Sequence, residues 1–125
     1  MLIQNINATI NAAINELLIA EEDHEALRRS IQNHDNLDTL DLARQLENHD
    51  LLEFRRIAAK LYKDNHKWQK SIALSKKDER WKDVMETAAA SGNGELVSQL
   101  LQFFVEEERK DLVDADFTIF QWKGL

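Results

Sequence analysis

The sequence predicts an all-α fold, an α-solenoid of stacked antiparallel helix pairs, and three observations carry that prediction. Proline is absent and only three of the 125 residues are glycine, so few positions force a helix to break. Apolar residues recur at spacings of three and four along most of the chain. Breaks between these stripes return every thirteen to fifteen residues, a spacing that suits short helices joined by tight turns.

The first stripe is Ile3, Ile6, Ile10, Ala13, Ile14, Leu17 and Leu18, which predicts an amphipathic helix seated on a core. A shorter helix carries Leu27 and Ile31, and the next places Leu42 and Leu46 on one face. Phe54, Ile57, Ala58, Leu61 and Tyr62 form a complete i, i+3, i+4, i+7, i+8 series, and Trp81, Val84, Met85, Ala88 and Ala89 repeat it. Leu96, Leu100, Leu101 and Phe104 mark a further helix after the glycine turn Ser91-Gly92-Asn93-Gly94. Phe117, Ile119 and Phe120 are apolar without helical order.

Side chains able to cap first-turn amides punctuate the stripes: Glu22 or Asp23, Asp38, Asp50, Asp64 or Asn65, Asp78 and Asn93. A phrase also repeats. Asn33-His34-Asp35-Asn36-Leu37 returns as Asn48-His49-Asp50-Leu51-Leu52, and Trp68 and Trp81 stand thirteen apart, each after a basic residue. A helix and turn of that length, used about eight times, gives roughly four pairs of about 27 to 30 residues. An irregular helical bundle is the alternative that periodicity leaves open.

Composition narrows the function classes. With 43% hydrophobic and 31% charged residues the chain is too apolar for a disordered segment and too interrupted by charge for a membrane span. The start lacks the basic leader and continuous apolar centre of a signal peptide. No cysteine is present, which removes disulfide and thiolate chemistry. His24, His34, His49 and His66 form no His-Glu-x-x-His arrangement, so no zinc site is expected. Asp35, Asp38 and Asp41 lack the glycine and the twelfth-position glutamate of a calcium loop, and read as caps and surface residues. Gly92 and Gly94 lack the strand context of a nucleotide fingerprint. No catalytic residue and no cofactor is predicted.

Charge is the unusual signal. Residues 1–50 hold three basic against ten acidic side chains, residues 51–82 hold ten against four, and residues 83–125 hold three against nine. A basic band thus crosses an acidic chain of net charge -7. Arg56, Lys60 and Lys63 fall on the helix face away from Phe54, and Lys67 and Lys70 continue the band on the next helix. A solvated surface and an acidic partner helix both accommodate such a band. Nucleic acid fits poorly, because the acidic flanks oppose close wrapping of phosphates. Exposed ion pairs contribute only about 0.2 to 1 kcal/mol each, so a partner also needs apolar anchors, for which Trp68 and Trp122 are candidates while Trp81 is expected inward.

The run LARQLENHDLLEFRRIAAKLYKDNHKWQKSIALSKKDERWK, from Leu42 to Lys82, closely resembles the repeat region of the clathrin heavy chain. The likeness extends from about Asn5 to Lys110, through LLIAEEDHEALRRSIQNHDNLD and ETAAASGNGELVSQLLQFFVEEERK. It implies a repeat domain over residues 1–110 and a divergent tail over 111–125 whose Asp114 and Asp116 depart from the family pattern. The resemblance implies a piece of the leg near the hub, a non-catalytic element of the coat of pits and vesicles in endocytosis and vesicle transport. Its implied location is the cytoplasm, peripheral to the membrane and without insertion. Its implied partners are other heavy-chain legs and the acidic clathrin light chain, with Arg56, Lys60, Lys63, Lys67 and Lys70 as the expected contact band. A free-standing helical-repeat adaptor for an acidic helix, or a shortened product with no function of its own, remains the alternative.

Overall fold

A computed structural model describes residues 2–107, and the predicted tail over 111–125, with Phe117, Ile119, Phe120 and Trp122, lies outside the described residues. Among the described residues seven helices follow one another: α1 (Leu2–Ala20), α2 (His24–Asn33), α3 (Thr39–Leu46), α4 (Leu52–Asp64), α5 (Trp68–Lys77), α6 (Trp81–Ser91) and α7 (Gly94–Glu107). No strand occurs among the described residues. Most helices pack chiefly on their neighbours in sequence, whereas α2 packs on α1 and reaches past α3 to α4. The buried side chains accordingly form a line of clusters. Leu27, Leu42, Leu46, Phe54, Ile57 and Leu61 make the first, Ile72, Val84, Ala88 and Leu100 the second, and Met85 with Phe104 the third. This linear core is the α-solenoid that the stripes predict.

Helix α4 is the centre of the stack, because it covers α3 on one side and α5 on the other. Its Phe54, Ile57, Ala58, Leu61 and Tyr62 are buried as the periodicity requires, and Ala59 is buried as well. The small Ala59 lets α5 come close enough for the Ser71 hydroxyl to donate to the Ala59 carbonyl at 2.8 Å. Tyr62 donates its phenol to Glu47 at the end of α3, and burial followed by that carboxylate pushes the phenol pKa up to about 12. Arg55 ties two turns together. Its guanidinium donates to the carbonyls of His49 and Asp50 at 2.7 and 2.8 Å, and pairs with Asp78 at 2.9 Å.

Three of the turns share one geometry. After α1, α4 and α5 the chain enters the left-handed region at Glu22, His66 and Glu79, with φ of 60°, 60° and 56°. The amide of the next residue then bonds back five positions, Asp23 to Leu18, Lys67 to Tyr62 and Arg80 to Ser75. These are Schellman caps in which that next residue already opens the following helix, which leaves no room for a linker. Gly92 takes the same conformation after α6, at φ 66°. The thirteen-residue spacing of 66, 79 and 92 is therefore the repeat of the turn itself.

Several expected caps are realised and others are reassigned. Asp23 accepts from Ala26 N, Asp38 from Asp41 N, and Asn93 from Glu95 N and Leu96 N. Asp50 caps nothing; Leu51 opens α4 and its amide donates to His49 Nδ1 at 3.0 Å. Asn65 and Asp78 close α4 and α5, whereas Lys67 and Arg80 open α5 and α6 without a side-chain cap. In these turns the Schellman bonds satisfy the junction.

The first stripe requires correction. Ile6, Ile10, Ile14 and Leu17 are 43–61% exposed, so the isoleucine face of α1 is not seated on the core. The short helix α2 meets a different face, where Asn15 is buried and accepts a 2.6 Å hydrogen bond from Ser30 Oγ, and Leu18 and Ile19 reach the first cluster. Periodicity shows that a face is apolar, not which neighbour covers it.

Two predictions follow from this packing. Phe54→Ala lowers unfolding stability by about 3–5 kcal/mol, whereas Ile10→Ser stays within about 0.5 kcal/mol, both read from urea titrations. Glu22→Gly removes the steric cost of a side chain at positive φ and raises stability by up to about 1 kcal/mol, visible as a higher melting temperature.

A candidate partner-binding surface

The five basic residues singled out in the sequence divide into two sets in space. Arg56, Lys60 and Lys63 lie along one stripe of α4 and line an open groove of about 620 Å³ bounded also by α2, α5 and α6. Ile31, Ile57 and Leu61 supply apolar lining, and Ser71, Ser75 and Thr87 supply polar lining. The face away from Phe54 is thus a partly covered channel, not open solvent. Lys67 and Lys70 belong to the α4–α5 turn and α5. Lys70 places its ammonium 5.5 Å from the centroid of Tyr62, a residue well round α4 from the Lys60 stripe.

Arg56 is committed internally. A ladder of charges crosses from α2 through α4 to α6: Arg28 to Glu53 at 2.7 Å, Glu53 to Arg56 at 3.8 Å, Arg56 to Asp83 at 3.2 Å, and Asp83 to Arg80 at 3.9 Å. The Arg28 guanidinium bonded to Glu53 holds that carboxyl below its ordinary pKa, against a smaller opposing effect of burial. Each pair is partly exposed and modest in strength, yet together they join three alternate helices, α2, α4 and α6, on one side of the stack. The sequence reading missed this ladder, since its partners lie 25 and 27 positions apart.

The remaining lysines are more available. Lys60 pairs with Asp64 at 3.2 Å, but the two side chains are 69% and 53% exposed, so water screens the pair. Lys63 and Lys67 make no ion pair among the described residues. Beside them His66 stacks on Trp68 with ring centroids 5.2 Å apart, and Trp68 is half-buried. Lys67 and Lys70 flank Trp68 along the chain, while Lys63 lines the α4 groove and the Lys70 ammonium lies over Tyr62, so positive charge and aromatic area occur together at this turn. Trp81 points the other way, against Phe103, Phe104 and Met85, as expected of an inward residue. Among the described residues no group of three or more His, Asp or Glu side chains could hold a metal ion, and no helix is long and apolar enough to cross a membrane.

The ladder makes acid sensitivity predictable. Glu53 has a depressed pKa when folded, so its contribution is present above the ordinary glutamate pKa and is lost as pH falls through its own lower value. A Glu53→Gln variant therefore loses less stability than the parent across that acid interval, measured as melting temperature against pH.

A family model described as a region in clathrin and VPS matches residues 1–112. The chain is 56% identical over 114 residues to probable clathrin heavy chain 1 of Caenorhabditis elegans, which covers 90% of this chain and 7% of that protein. It is 52% identical over 107 residues to clathrin heavy chain 1 of Oryza sativa subsp. japonica, covering 86% and 6%. With clathrin heavy chain 2 of Homo sapiens it shares 50% identity over 109 residues, covering 87% and 7%. The chain thus spans about 7% of the length of these relatives. These matches place the chain in the clathrin heavy-chain repeat family.

Proposed function

We propose that the chain is a non-catalytic strut of the clathrin heavy-chain leg, contributing to the coat of pits and vesicles in endocytosis and vesicle transport at the cytoplasmic face of the membrane. The linear core carries this reading. Load applied to such a stack is shared over consecutive helix interfaces, and the Arg28–Glu53–Arg56–Asp83 ladder braces one side of it. Neighbouring heavy-chain legs are the partners that a strut of this kind meets in a coat, and association with the membrane is through the coat, without insertion.

The second partner is the clathrin light chain, lying along the leg as an acidic helix. Lys63, Lys67 and Lys70, on the end of α4, the α4–α5 turn and the start of α5, supply its contact together with the His66–Trp68 stack, with Lys60 at the edge, and Arg56 supports the surface from within the ladder. Charge complementarity favours an acidic occupant, and Trp68 provides the apolar area that lysines alone lack.

The test is co-purification of the chain with a light chain. Reversal of Lys63, Lys67 and Lys70 to Glu is expected to leave helicity intact by circular dichroism, weaken the complex at least tenfold and flatten its salt dependence. Equal affinity of parent and variant would remove the turn as the site. Arg56→Glu is expected instead to lower the melting temperature, because it leaves Asp83 and Glu53 facing a like charge.

A further inference from the structure

The turn between α6 and α7 contains the one asparagine that is followed by glycine. The other eight asparagines, at 5, 7, 11, 15, 33, 36, 48 and 65, precede residues with side chains. Asn93 and Gly94 are both exposed. A Cβ built on Gly94 would meet nothing within 4 Å, so the residue after Asn93 carries no side chain and stands beside open space. The Gly94 amide nitrogen opens α7, where first-turn amides have no acceptor within the helix, and it makes no hydrogen bond among the described residues. The Asn93 carboxamide oxygen, meanwhile, accepts from Glu95 N at 3.0 Å and Leu96 N at 3.2 Å. Those two donors draw electron density from Cγ and are placed to hold negative charge on Oδ1.

We propose that Asn93 is a site of spontaneous deamidation. The Gly94 amide nitrogen gives up its proton to water or hydroxide and attacks Asn93 Cγ, forming an N–Cγ bond while the carbonyl electrons move onto Oδ1. Collapse of this intermediate breaks the bond between Cγ and the side-chain nitrogen, which takes up a proton and leaves as ammonia. Water then opens the five-membered succinimide at either carbonyl, giving aspartate or isoaspartate at position 93. Aspartate keeps a capping oxygen and adds a negative charge at the start of a helix, where it is tolerated. Isoaspartate adds a methylene to the main chain and moves the cap away from the Glu95 and Leu96 amides. Helix α7 seats Leu100 beside Ile72, Val84 and Ala88, so the isoaspartyl form weakens the anchoring of the last described helix.

The experiment incubates the whole chain in mildly alkaline buffer at physiological temperature and maps peptides by mass spectrometry, with isoaspartyl methyltransferase labelling of the products. Position 93 is expected to gain about one mass unit ahead of every other asparagine, and to divide between aspartate and isoaspartate. Gly94→Ala, which adds a methyl group into open space and whose helicity is checked by circular dichroism, is expected to slow the change severalfold. Two results would overturn the proposal: modification at 93 in urea but not in the folded chain, which would make the cap protective, or an unchanged rate in Gly94→Ala.

Discussion

No helix in this chain can bury its apolar surface by itself, and the two-sided burial of α4 is the constraint on which the other elements depend. Six of its thirteen residues are buried, spread between the α3 and α5 sides. Burying an aliphatic or aromatic side chain is worth about 1.5–3 kcal/mol, far more than any of the partly exposed ion pairs around it. The stack is therefore held by shape and apolar area, and the charges adjust its outer surface. Helices at the edge of the described region show the converse: α1, which meets only α2 closely, leaves four large aliphatic residues in solvent.

Short junctions make that burial possible. A helix pair joined by a long loop could choose among several packing arrangements, whereas a Schellman turn whose last residue opens the next helix fixes the departure of the chain within a few bonds. Three of these turns use Glu or His at positive φ, so steric cost at Glu22, His66 and Glu79 is accepted in return for a tight reversal. Arg55 adds a longer link by tying the α3–α4 connection to the α5–α6 turn.

The charged side chains lie on the sides of the stack. One side carries the charge ladder over α2, α4 and α6, which occupies Arg56 and leaves it little capacity for an outside ligand. The α4–α5 turn carries cations with fewer internal obligations next to an aromatic pair. A basic band read along the sequence thus divides into a part held by internal ion pairs and a part at the α4–α5 turn where Lys67 and Lys70 are exposed.

The sequence by itself determined that the chain is helical, where most helices lie, and which residues of α4 and α6 face inward, because a 3.6-residue period leaves its mark directly in the order of apolar side chains. It also fixed the caps at Asp23, Asp38 and Asn93, which act within three residues of their own position. Tertiary structure alone decided which face of α1 is covered, that Asp78 serves Arg55 and not the start of α6, and that Arg56 is held by Asp83. Those outcomes join residues 23 to 27 positions apart, or depend on the size of a neighbouring helix. Local periodicity carries no record of such partners, since only the packing of one helix on another brings them within reach.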